Sequence, residues 1–208
     1  MNRWIVLLAQ VLVGCGASIG PPVGPYERPR SALLILDLQK DFLQAGGRMP
    51  VAAQQVDPMI NLVQALARQA HVNGASVIMV RNTFPRNDLL GNFFRNQAAV
   101  EATDGAETDE RIHIEANASF TKAAPDAFSN QDLDAYLREQ QVETLVVAGV
   151  FADQCVQTTV MAALNRKYQV HVVQDATAAK DDQTREQAMQ AMAQRGATIL
   201  QAAEDVAW

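Results

Sequence analysis

From Ser31 to Leu200 the chain repeats one pattern: a short apolar run, a stretch with apolar residues at helical spacing, then another apolar run. Strands separated by helices cannot pair as hairpins. They join side by side in parallel, with the connecting helices packed over the sheet. The apolar runs are "ALLILDL", "ASVIMVRN", a short stretch near Ser119–Thr121, "VETLVVAG", "YQVHVVQD" and "ATIL". Helical spacing marks 57–72 (Ile60, Val63, Leu66), 130–140 with Asn130 as cap, 152–166, and 182–194 with Gly196 as its stop. This predicts a single three-layer α/β domain, with a mostly parallel six-stranded sheet and helices on both faces. At 208 residues the chain is long enough for one sizeable core.

Charge and cysteine content narrow the function. The net charge is -6 and no basic stripe stands out, so nucleic acid is not expected as a partner. Two cysteines cannot build a disulfide framework, and no Cys/His spacing suits zinc. The stretch from Thr83 to about Ala118 is irregular. It holds Phe84, Phe93 and Phe94 with Arg86 and Arg95, then the acidic run 101–110, expected as a solvated loop.

The N-terminus differs from the rest. "MNRWIVLLAQVLVGC" has an apolar run too short to span a bilayer but suited to a secretory signal. "LVGC" resembles a bacterial lipobox, which makes Cys15 the expected lipidation site. Residues 1–15 are thus expected to be a lipoprotein signal, 16–30 a Gly/Pro-rich tether, and 31–208 the working domain. The expected location is the periplasmic side of a bacterial membrane, held only by that lipid. A misassigned start codon would make the protein cytoplasmic.

Ligands of an open parallel sheet bind beyond the carboxyl ends of its strands. Asp37 ends the first strand and Cys155 follows the "VVAG" strand. A thiolate is a good nucleophile, and a helix N-terminus would stabilise it. The usual base is His. However, His71 ends a helix, His113 is in the irregular stretch and His171 is mid-strand. By elimination the partners are an Asp and a Lys.

Three motifs in order then resemble the isochorismatase-like superfamily, in particular its cysteine hydrolases. "LLILDLQKDF" is similar to the first-strand motif, "FTKAAPDAFSNQDL" to the lysine motif and "VVAGVFADQCV" to the cysteine motif. In the second, Asp126 and Gln131 replace the usual Ser and Thr. The resemblance covers about Ala32 to Leu200 and implies the isochorismatase-like, Rossmann-like fold. It implies Asp37, Lys122 and Cys155 as catalytic residues, with backbone N–H groups of Phe151 and Cys155 as the oxyanion hole. It also implies a cis peptide at Val150–Phe151 and a homo-oligomer.

Nicotinamidases of this superfamily carry metal ligands in a "DWHP"-like segment. This chain has "NTFP", with Asn82 and Phe84 at the ligand positions, so no metal and no other cofactor is expected. Phe42, Asn82 and Phe84 are the expected substrate contacts. The reading is a metal-independent hydrolase of a small amide, ureido or carbamoyl compound through a thioester. The alternatives are a vinyl-ether hydrolase like isochorismatase, a silent membrane-tethered interaction protein, or a thiol redox sensor. The last lacks a resolving cysteine.

Overall fold

The computed structural model describes residues 16–208. Six strands form one sheet: β1 (Arg30–Leu36), β2 (Ser76–Asn82), β3 (Ala118–Lys122), β4 (Val142–Val150), β5 (Gln169–Ala178) and β6 (Thr198–Leu200). Their order is β3-β2-β1-β4-β5-β6, and every pairing is parallel. The six principal helices are α1 (Lys40–Leu43), α2 (Ala53–Val72), α3 (Leu89–Phe94), α4 (Gln131–Glu139), α5 (Gln157–Asn165) and α6 (Asp182–Gln194).

Alternation along β1 explains the layers. Leu33 and Ile35 face one side and pack with Met59, Val63 and Leu66 of α2. Ala32, Leu34 and Leu36 face the other, with Leu133 and Leu137 of α4, Val160 of α5 and Met192 of α6. All of β1 from Ala32 to Leu36 is buried, as a strand covered on both faces must be. Its four buried leucine and isoleucine side chains, at about 1.5–3 kcal/mol each, make such a strand a main source of stability.

Three boundaries differ from expectation. Helix α2 starts at Ala53 rather than Asp57, because Val56 belongs to the core and Pro58 is accommodated within the helix. The stretch expected as one helix over 152–166 is two pieces: a wide π-helical turn (Ala152–Val156) and then α5. The irregular stretch contains α3 and a 3₁₀ turn (Asp104–Ala106).

The segment expected as a tether is laid against the domain. The Ser18 N–H donates to Asp126 (2.9 Å), and the Val23 N–H to the carbonyl of Arg166 (2.8 Å). Arg138 donates to the carbonyls of Pro21 and Pro22, and the Tyr26 N–H to Glu143. Residues 18–26 thus form a strap over α4 and α5. The expected signal and lipobox, with Cys15, lie outside the described residues. No described helix is long and apolar enough to cross a membrane.

Candidate active site

The strand order reverses direction between β1 and β4, which is where a ligand crevice opens in such a sheet. Asp37 leaves β1 there with a left-handed backbone (φ 59°). That conformation is uncommon for a non-glycine residue and is held here by its N–H donating to the carbonyl of Val80 (2.8 Å). Opposite it, Gly149 of β4 pairs with Leu36 at φ 114°. A Cβ on Gly149 would fall 2.1 Å from the Leu36 carbonyl oxygen, so only glycine permits this approach. The Val150–Phe151 peptide that follows is cis. The π-helical turn then delivers Cys155 beside Asp37.

Two further strand ends complete the set. Lys122 is the last residue of β3 and Asn82 the last of β2. The Lys122 ammonium donates to Asp37 Oδ2 (2.9 Å), Asn82 Oδ1 (2.9 Å) and Cys155 Sγ (3.3 Å), which uses all three of its hydrogens. The Asn82 amide donates to Asp37 Oδ2 (3.0 Å) and Cys155 Sγ (3.4 Å). All four side chains are buried. Asp37 Oδ1 alone in this cluster has no partner among the described residues. Four neighbouring strands, β3, β2, β1 and β4, therefore each contribute one group.

Burial sets the protonation of this cluster. It raises the Asp37 carboxyl, against the pull of Lys122. Burial alone would lower Lys122, but the charges and hydrogen bonds of Asp37 and Cys155 outweigh it and hold the ammonium above its ordinary value. The Cys155 thiol is pushed up to about 12, first by burial and then by the Asp37 charge. With Asp37 ionised, Lys122 charged and the thiol intact, the cluster is neutral. Losing the thiol proton to solvent would leave a net negative charge in an apolar site. Moving it to Asp37 leaves the sum at zero.

Cys155 and Asn82 form the floor of a cavity of about 370 Å³, with Asp37 and Lys122 bonded to them from beneath. Phe42, Phe84 and Phe151 line it, and Phe94 stands at the rim. Phe42 and Phe151 meet edge to face with centroids 5.4 Å apart. Of the expected substrate contacts, Phe42 and Phe84 are in the wall. Asn82 also reaches it but is tied into the floor. Phe93 points to solvent, 73% exposed.

Sequence reasoning missed Gln39 and Asp41. Gln39 is buried and grips the backbone of Asn82 at both ends, donating to its carbonyl and accepting from its N–H (both 2.8 Å). Asp41 is buried and accepts from the N–H groups of Ala99 (2.9 Å) and Arg48 (3.3 Å), which ties down the loop over the cavity. The available signal was that Gln39 and Asp41 lie between Leu38 and Phe42 in "LDLQKDFL", directly after a buried strand. The histidines are elsewhere: His71 contacts the carbonyl of Glu115, the His113 backbone N–H binds Gln64, and His171 lies in β5.

The segment where the resemblance implies metal ligands in nicotinamidases is filled differently. The Phe84 ring has no lone pair to offer, and the Arg95 guanidinium lies 3.8 Å from its centroid. A divalent cation would meet a fixed positive charge there. These residues do not fit a metal.

Comparison with known proteins adds a family. The isochorismatase domain model matches residues 31–204. An uncharacterized isochorismatase family protein of Bacillus subtilis, YddQ, is 30% identical over 149 residues, covering 71% of this chain and 77% of that protein. A zinc-bound pyrazinamidase of Pyrococcus horikoshii superposes with a TM-score of 0.74 at 28% identity, over 83% of this chain and 99% of that one. An N-carbamoylsarcosine amidase of Thermoplasma acidophilum gives 0.73 at 25% identity, over 86% and 99%.

Proposed function

The chain belongs to the isochorismatase family, and on that premise we propose that it is a metal-independent cysteine hydrolase that cleaves a C–N bond of a small amide, ureido or carbamoyl compound. The observation that carries this reading is the buried ammonium of Lys122 bonded at once to Asp37, Asn82 and the Cys155 sulfur, the last two of which line a cavity. Similarity to amidases of two kinds supports the reaction class. A cavity of about 370 Å³ suits a small molecule.

The chemistry follows from the charge balance. As substrate fills the cavity, Asp37 takes the thiol proton, and the sulfur attacks the carbonyl carbon. The carbonyl electrons move to oxygen, which the backbone N–H groups of Phe151 and Cys155 receive. Lys122 holds its charge throughout and stabilises first the carboxylate, then the thiolate. The protonated Asp37 passes its proton to the leaving nitrogen as the C–N bond breaks, which leaves a thioester. Asp37 then deprotonates a water, which attacks the thioester and restores the thiol and the acid product. Asn82 keeps carboxylate, ammonium and sulfur at fixed separations through these exchanges.

The test is ammonia release from a panel of small amides, ureas and carbamoyl acids, with and without chelator. Release that resists chelation and is lost in Cys155→Ala is the expected result. Release that survives in Cys155→Ala would sink the cysteine mechanism. Release abolished by chelator would sink its independence of metal.

A further inference from the structure

The walls of the cavity above Cys155 are mostly phenyl rings and aliphatic groups, but one cation joins them. Arg95 follows α3 and contributes to the lining. Its guanidinium is held in two ways. Its central carbon lies over the Phe84 ring, 3.8 Å from the centroid. Its Nη2 donates to Asp88 (2.5 Å) and Asn92 (2.9 Å). The buried Nε has no acceptor among the described residues. The cluster that fixes the guanidinium thus leaves donor capacity unused, since arginine carries five N–H groups.

The placement selects for charge. Asn82 and Gln154 also line the cavity, but amides both donate and accept and do not discriminate by charge. Lys122 does not line the cavity, and all three of its hydrogens are already used. A guanidinium held over a ring and by two hydrogen bonds loses little freedom when it meets a planar, two-oxygen acceptor, which its fork matches. The phenyl rings on either side favour a flat body between that acceptor and the scissile carbonyl.

We propose that Arg95 is the anion-recognition residue of this pocket, and that the substrate is a flat C–N compound bearing a carboxylate at the end away from the bond that breaks. The proposal rests on the hydrolase reading above for which bond that is. Asp88 competes with the substrate carboxylate for the same guanidinium, so it tempers affinity rather than supplying it.

Binding can be measured apart from chemistry. Full-length Cys155→Ala protein is titrated calorimetrically with benzoate and with benzamide, which share a shape and differ in charge. Benzoate should bind at least about tenfold tighter, the scale of one charge-assisted hydrogen bond. Adding Arg95→Met should remove that advantage and leave benzamide within about threefold. Adding Asp88→Asn, which keeps the guanidinium and removes its competitor, should widen it. Melting curves identify any variant that fails to fold, and Asp88→Asn then carries the test alone. Equal binding of the two ligands, no benzoate binding at millimolar concentration, or an advantage unchanged by Arg95→Met or by Asp88→Asn overturns the proposal. Its failure differs from failure of the hydrolase reading: a Cys155→Ala enzyme that still releases ammonia would refute the cysteine mechanism while leaving the benzoate preference standing.

Discussion

Asp37 and Cys155 compete for one proton, and pH should report the competition. In the proposed mechanism the reactive form has an ionised Asp37 and an intact thiol. Activity should therefore rise as pH climbs through the raised Asp37 value, above the 3.8 of an ordinary aspartate. It should fall only where the cluster loses its remaining proton, above the 9.0 of an ordinary thiol. Asn82→Asp places a second carboxylate against Asp37 and Lys122. Like charge disfavours ionisation, so the acid limb of kcat/KM should move to higher pH. A pH–rate profile with an unmoved acid limb would show that Asn82 does not set the Asp37 proton affinity. Asp37, Lys122 and Cys155 were legible in the sequence because residue type and motif order point to them. The thiol's resting state was not, since burial of all three in one neutral cluster is a property of the packed site.

Among the elements, α6 and α4 were readable nearly to the residue. Asp181 caps α6 through the Thr184 N–H (2.7 Å), and Asn130 caps α4 through the Asp132 N–H (2.9 Å). Both signals are local. The stretch 83–118 was not readable, because its order comes from distant partners: Arg86 reaches the carbonyls of Glu101 and Ala102, and Asp41 holds Ala99. The close approach of β1 and β4 is the element-scale feature most exposed to mutation. Gly149→Ala would force a side chain against the Leu36 carbonyl at a left-handed φ. The expected loss is about 2–5 kcal/mol, from strain and overpacking together, measurable by denaturant unfolding. A loss under about 1 kcal/mol would mean the two strands can separate without cost to the sheet.

The whole molecule is held by more than its sheet. The strap over α4 and α5 converges on Arg166, which is buried, donates to the carbonyls of Ser18 and Ala162, and stacks 4.4 Å from the Phe128 ring centroid. Composition suggested a free tether because Gly and Pro speak only to local stiffness. Its partners lie more than a hundred residues away: Ser18 and Asp126 are 108 apart, Ser18 and Arg166 are 148 apart. Arg166→Ala should release the strap, cost about 2–4 kcal/mol, and open residues 18–26 to limited proteolysis while the rest resists. Equal protease resistance in variant and parent would show that the strap has other moorings.

One group from each of four adjacent strands also has a kinetic meaning. Asp37 and Lys122 are 85 residues apart, Asn82 and Cys155 are 73 apart, and each pair is closed only by sheet assembly. Contacts of such sequence separation form late, after loop-closure entropy has been overcome. A refolding chain should regain helical circular dichroism well before it regains turnover, and a fragment lacking any of β1 to β4 should show no activity. Catalysis here is an all-or-none readout of a finished topology.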